Sequence, residues 1–275
     1  MLKAALITDI HAGPDVYDRR GLQIKAGSHV PRILNDFVMA TNNSDVDCVI
    51  DLGDRISARD SLTDAFNLGA VNGLYAGLKK PLYYVPGNHE YKHLTARDIE
   101  NITGQPTKTW SDEIGGVHVI FWNPNVKNRD PLKITAQDLN DLDTRLSMKP
   151  DTPTVVCSHI PLDNNSEDRL IKLRDQGKPE DHGPYGYYYY INAHEARKIM
   201  EDHGNVILCA AGHRHQTRLK TINGIRHLNL DSPIAMRKNA QYVPETHACL
   251  NVDPDKGKVK IDVRGKNART YDFSF

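Results

Sequence analysis

Residues 206–215 read Val206-Ile207-Leu208-Cys209-Ala210-Ala211-Gly212-His213-Arg214-His215: six apolar residues, a glycine, then two histidines flanking an arginine. A short apolar run that stops at glycine is the pattern of a buried strand ending in a turn. Four other places repeat it. Leu6-Ile7-Thr8 leads to Asp9 and His11, and Cys48-Val49-Ile50 leads through Gly53 to Asp54. Leu82 to Val85 leads into Gly87-Asn88-His89-Glu90, and Val155-Val156-Cys157 into His159. An open α/β sheet binds ligands beyond the carboxyl ends of its strands. Five strand-like runs, each followed by metal-binding side-chain types, therefore predict an α/β fold with a metal centre at that edge.

The stretches between these runs read as helices, the alternation of layered α/β proteins. Val30 to Thr41 carries Ile33, Leu34, Phe37 and Val38 at helical spacing, and Ser61 to Leu78 does likewise, interrupted by glycines. Thr135 is placed to cap a helix whose face holds Leu139, Leu142 and Leu146. Asn192-Ala193-His194-Glu195 has the form of a capping box, with Gly204 as the stop. Past His215 the pattern changes. Leu219 to Ile222, Asn223-Gly224 and Ile225 to Leu230 predict a hairpin with a type I′ turn. His247 to Val252 and Lys258 to Val263, separated by Asp253 to Gly257, predict a second one. The expected organisation is one domain over 1–275, with a core of 1–233 and a β extension of 234–275. Gly13 to Ser28 and Asp163 to Tyr190 fit no regular element. Each follows a ligand segment, so each is expected at the rim of the site.

Composition narrows the function. Lysine plus arginine and aspartate plus glutamate number 35 each in 275 residues, which disfavours a nucleic-acid polymer as partner. The apolar start of the chain is too short for a secretory signal, and no uncharged stretch approaches the roughly 18 residues of a membrane span. A soluble, cytoplasmic protein is expected. Cys48, Cys157, Cys209 and Cys249 lie far apart in apolar runs, as buried hydrophobes rather than disulfide or zinc-knuckle partners.

The candidate ligands also have a chemistry. Asp9 and His11 are two apart, so on an extended chain they point to one side. Gly53 lets the backbone turn sharply before Asp54. Asn88 adds an amide oxygen, and His159, His213 and His215 add imidazoles. Seven ligands exceed one tetrahedral zinc but suit two ions sharing a carboxylate. Two ions about 3.5–4 Å apart can hold the attacking and leaving oxygens of a displacement at phosphorus. Oxygen and imidazole donors without thiolate suit manganese, iron or zinc and disfavour calcium. The remaining histidines among the 13 read as structural.

Taken together, Asp9-Ile10-His11, Gly53-Asp54, Gly87-Asn88-His89-Glu90, His159 and Gly212-His213-Arg214-His215 resemble the five motifs of the calcineurin-like metallophosphoesterase superfamily, in the same order. The resemblance implies a four-layer αββα sandwich, two mixed β-sheets flanked by helices, with the dinuclear site at the strand carboxyl ends. It implies one ion on Asp9, His11, Asp54 and His215, and another on Asp54, Asn88, His159 and His213, with a hydroxide held between them as nucleophile. By the same resemblance Asp54 bridges, and His89 acts on the leaving oxygen from outside the ligand set. A shorter similarity, Gly87 to Tyr91 with Gly224 to Leu230, resembles the manganese-dependent ADP-ribose/CDP-alcohol diphosphatases.

The expected substrate is a small, nucleotide-like phosphodiester or diphosphate. The alternatives are a phosphomonoesterase with the same centre and a non-catalytic scaffold, disfavoured because every ligand is retained. Arg55 is expected either to fork onto a phosphate or to form a salt bridge. Tyr91 and the tyrosines at 185–190, Tyr187 among them, are candidates to stack on a base or sugar, and Asn164 and Asn165 to contact substrate. The tail beyond Ser232 leaves room for a homodimer contact.

Overall fold

Along Leu2–Ile7 (β1) the side chains alternate between two buried faces: Leu2, Ala4 and Leu6 enter one apolar cluster, Ala5 and Ile7 another. A strand covered on both faces needs the near-continuous apolar run seen in the sequence. Cys48–Asp51 (β4) and Thr154–Cys157 (β8) divide in the same way, and Val206–Ala211 (β9) is buried at every position. This computed structural model describes residues 1–124, 132–164, 188–236 and 242–275.

Two six-stranded mixed sheets result. The first has the order β14-β13-β12-β1-β4-β5, where β5 is Leu82–Tyr84, β12 His247–Asp253, β13 Lys258–Arg264 and β14 Arg269–Ser274. The second has the order β10-β11-β9-β8-β7-β6, where β6 is Trp110–Ile114, β7 Val117–Phe121, β10 Arg218–Ile222 and β11 Ile225–Asn229. Strands β1, β4 and β5 are mutually parallel, as are β7, β8, β9 and β11. The carboxyl ends that carry the candidate ligands therefore align within each sheet.

Three apolar clusters stack these sheets between helices. Leu6, Ile50 and Leu250 of the first sheet meet Phe121, Val155 and Leu208 of the second. Outside the first sheet, Leu34 and Phe37 of α1 (Val30–Asn42) and Val71 and Tyr75 of α2 (Ser61–Tyr75) cover Ile7 and Val49. Outside the second, Leu142 and Leu146 of α5 (Ala136–Ser147) and Ala196 and Met200 of α6 (Ala193–His203) cover Ile120, Val156 and Cys209. The four-layer αββα expectation holds. Two short helices, α3 (Glu90–His93) and α4 (Ala96–Thr103), follow β5.

Most local signals are realised. Thr135 caps α5 in a full capping box with Asp138, and Gly204 ends α6 in the left-handed conformation. Asn223 and Gly224, at φ 48° and 88°, make the tight turn between β10 and β11. The box read from Asn192 to Glu195 does not form. Asn192 instead spends its amide on the backbone of Ile134, accepting from its N–H (2.9 Å) and donating to its carbonyl (3.0 Å). The tail extends the first sheet as expected, because β12 pairs antiparallel with β1; β14 at the far edge was not anticipated. Residues 13–28 hold a small hairpin, β2 (Val16–Tyr17) with β3 (Gln23–Lys25). Among the described residues no helix is long and apolar enough to cross a membrane, and all four cysteines are free.

Candidate metal centre

The ligand candidates sit on turns two to four residues past their strands, and the backbone there is unusual. Asp9, His11, Asp54, His213 and His215 have φ of 53°, 48°, 55°, 67° and 45°. Among the described residues only Asn223 and Glu245 share this left-handed region without being glycine. Asp9 and His11 are thus brought together by two left-handed residues, not by the extended chain expected from their spacing. Side chains are held in such conformations only where the surroundings over-determine them, and they concentrate at functional sites. Here the surroundings are other turns. A β-carbon on Gly212 would overlap Thr8 and the Asp9 carboxylate, and one on Gly87 would overlap the Asp54 carboxylate. Only glycine allows the turns after β9 and β5 to approach those after β1 and β4.

Each buried carboxylate is used twice. Asp9 ties Oδ2 to the Thr8 hydroxyl and the His213 N–H, both at 2.8 Å, and turns Oδ1 toward His215 Nε2 (3.2 Å) and His11 Nε2 (3.7 Å). Asp54 accepts the His89 N–H on Oδ1 (2.9 Å) and presents Oδ2 to His159 Nε2 (3.2 Å), His11 Nε2 (3.9 Å) and His89 Nε2 (3.9 Å). Asn88 Oδ1 lies 3.2 Å from His159 Nε2. The donors fall into a cluster of Asp9, His11 and His215 and a cluster of Asp54, His159 and His213, with Asp54 also facing His11.

The donor set fits cations. His11 and His159 give their Nδ1–H to the carbonyls of Ile56 (3.2 Å) and Leu52 (2.7 Å), which aims each Nε2 inward and leaves it free to offer a lone pair once the ring is neutral. The Nε2 atoms of His11 and His215 stand only 2.9 Å apart. The buried Nε2 of His213 has no hydrogen-bond partner. At metal–nitrogen bonds of about 2.1 Å, donors on one ion stand roughly 3.0–3.4 Å apart, close to the separations seen.

Charge tells the same story. Burial raises Asp9 and Asp54, but His215 for the first and His159 for the second outweigh it, and both carboxyls stay below the usual range. Burial opposes protonation of His159, yet Asp54 and Asp9 push it up to about 10. His213 is pulled down to about 3 by burial and then by His159. Two buried anions thus demand positive charge, and without an ion a proton on His159 partly supplies it. Glu90, fully buried, pins the frame: its carboxylate accepts the N–H groups of Gly87 (2.8 Å), Arg55 (2.6 Å) and Asp54 (3.2 Å). Burial and then Asp54 push it up to about 7.

His89 also lies here. Its Nδ1 accepts the Ala58 N–H (3.1 Å), so the neutral ring carries its proton on Nε2, the nitrogen facing Asp54. A cavity of about 390 Å³ opens over it, lined by Asp54, Asn88, His89, Tyr188, His213, Arg214 and His215.

The substrate-contact expectations fare worse. Arg55 is fully buried, ion-paired to Asp51 at 2.7 Å and stacked on Tyr84 (3.7 Å) and Tyr75 (4.8 Å), so it reaches no substrate. Tyr91 turns its hydroxyl to Asn123 (2.9 Å) and lines a separate, larger cavity of about 570 Å³ that no candidate ligand borders. Asn164 is buried and donates to the Tyr190 carbonyl (3.0 Å). Asn165, Tyr185 and Tyr187 lie outside the described residues. Tyr188, one of the tyrosines at 185–190, does line the cavity. Two residues at the site were not singled out from sequence: Arg214, which lies inside the last motif, and Lys25, within the 13–28 stretch expected at the rim, whose ammonium is drawn down by burial and acts on both Asp54 and Asp9.

A sequence model described as calcineurin-like phosphoesterase matches residues 2–217. The chain belongs to the calcineurin-like phosphoesterase family, and its paired Asp/His clusters are that family's dimetal site. Among solved structures it is similar to a dimetal phosphatase from Danio rerio, at 14% identity and TM-score 0.75, covering 100% of this chain and 99% of that one. It is also similar to a purple acid phosphatase from yellow lupin, Lupinus luteus, at 14% identity and TM-score 0.61, covering 98% and 52%. A third is GAP50, the anchor in the inner membrane complex of Plasmodium, at 14% identity and TM-score 0.57, covering 100% and 88%. At such identities the likeness speaks for the fold. No curated protein matches the chain.

Three outcomes follow from this geometry. Elemental analysis of Asp54→Ala should show both ions lost, whereas His11→Ala should keep the ion on the His159 side. Retention of both by Asp54→Ala would exclude a bridge. Because His159 holds a proton up to about pH 10 without metal, loading at pH 8 should release about one proton, read by calorimetry in buffers of different ionisation enthalpy. Arg55→Ala leaves Asp51 charged and buried, so denaturant unfolding should show a loss of about 3–5 kcal/mol, with KM of the folded fraction little changed.

Proposed function

We propose that this chain hydrolyses a small, nucleotide-like phosphodiester or diphosphate at a centre of two manganese, iron or zinc ions. One observation carries the reading: Asp54 Oδ2 stands at the junction of both donor clusters, with His89 Nε2 3.9 Å away. When bound, the ions supply Lewis acidity and lower the pKa of water.

The rest is work for the chain's own residues. Asp9, His11, Asp54 and His215 hold one cation; Asp54, Asn88, His159 and His213 hold the other. His89, fixed by Ala58 through Nδ1, directs its Nε2–H into the cavity, where it donates a hydrogen bond that stabilises charge on the phosphate and on the leaving oxygen. His11 braces that ring edge-on, with centroids 4.7 Å apart. The walls admit small esters; the balanced charge of the chain argues against a polymer.

A phosphomonoesterase reading is favoured by the two solved relatives named as phosphatases. The diester or diphosphate preference rests on the motif similarity around Gly87 to Tyr91. A panel of cyclic nucleotides, ADP-ribose, CDP-alcohols and aryl phosphates with added manganese separates the two, and turnover of monoesters alone would refute the preference. In the same assay His89→Ala should lose about 10²–10⁴ in kcat while binding metal normally. Unchanged turnover would remove His89 from the chemistry, and a metal-loaded wild type that turns over none of these esters would return the scaffold reading.

A further inference from the structure

Arg214 stands between two candidate ligands, His213 and His215, on a turn closed by its N–H bonding the Gly212 carbonyl at 2.7 Å. The guanidinium lies over the Tyr188 ring, 4.3 Å from its centroid, and 5.0 Å from that of Tyr189. The platform is itself anchored: the Tyr189 hydroxyl accepts from Arg218 at 3.0 Å, and Arg218 pairs with Asp163 at 2.7 Å. A guanidinium stacked on rings keeps its plane fixed and its edge free. That edge has no carboxylate partner among the described residues, and its buried Nε makes no hydrogen bond. The residue itself lines the cavity, so a guanidinium without an anionic partner there is open to an anionic ligand.

What that ligand is follows from the charges already committed. The two cations and His89 answer the scissile phosphate, and the cavity of about 390 Å³ continues past them to Arg214 and Tyr188. A planar fork matches two oxygens of a second phosphate better than a neutral sugar or aryl group. We propose that Arg214 is a specificity-determining residue that grips a second phosphate joined to the scissile one, so that the favoured substrates are diphosphates. This rests on the phosphoesterase reading above and names its substrate class. One water is consumed, one P–O bond of the P–O–P bridge breaks, and two phosphomonoesters leave, the departing one still held by Arg214.

Binding decides the matter without turnover. Calorimetry on manganese-loaded protein compares α,β-methylene-ADP, which carries two phosphates and resists hydrolysis at the bridge, with AMP. Wild type is expected to bind the diphosphate at least about tenfold more tightly than AMP, as losing a charge-assisted hydrogen bond demands. Arg214→Ala should bring that ratio near one, and Arg214→Lys, which keeps the charge but not the fork, should leave it in between. Should Arg214→Ala fail to fold or to hold its ions, Tyr188→Leu is read instead and should lower the same ratio. A wild type that binds the two equally, or binds neither, or a ratio indifferent to Arg214→Ala, overturns the proposal. A wild type that hydrolyses no phosphoester but keeps the ratio overturns the enzymatic reading and leaves the Arg214 assignment standing.

Discussion

The structure turns on one carboxylate oxygen. Asp54 Oδ2 is buried among three imidazoles, while its companion Oδ1 is held by the His89 backbone N–H. Removing an ionised carboxylate from water is expensive unless it is paired. Two such groups, Asp9 and Asp54, lie side by side, and the ammonium of Lys25 acts on both. A pair of divalent ions is the natural completion of that arrangement. The family membership of the chain and the inward Nε2 atoms of His11 and His159 point the same way.

Holding the anions together requires backbone that folding alone disfavours. Five candidate ligands occupy the left-handed region, and Gly87 and Gly212 stand where no side chain fits. Glu90 counters this by clamping three amide groups from two turns, and Arg55 anchors the residue after Asp54 to Asp51 and two tyrosines inside the core. The rigidity behind the turns comes from strands buried on both faces, packed sheet against sheet. Stability made between the layers is thus used at their edge.

The reactive edge has an inner and an outer part. Inside are the cation ligands and His89, whose protonated nitrogen is chosen by the Ala58 amide rather than by its own basicity. Outside, Tyr188 and Arg214 stack on one another along the cavity wall. Division of this kind lets one metal chemistry serve different esters, because the inner part recognises phosphorus and the outer part recognises what is attached to it.

Much of this was written in the chain. Strand-like runs ending in glycine and ligand types, the helix from Thr135, the Asn223-Gly224 turn and the seven candidate ligands depend on neighbours within a few residues, and local patterns encode local interactions. Substrate contacts were read less well. Arg55 and Tyr91 adjoin ligands in sequence, yet their side chains leave the site, one for Asp51 and the other for Asn123. The sequence sets residues 13–28 and 163–190 at the rim, but it does not say that Lys25 will act on Asp9 and Asp54 or that Tyr188 will stack on Arg214. Sequence by itself determined which side chains could bind metal and that they follow strands. Only the tertiary structure decided which way each turn aims its neighbours, because that depends on contacts between segments hundreds of residues apart.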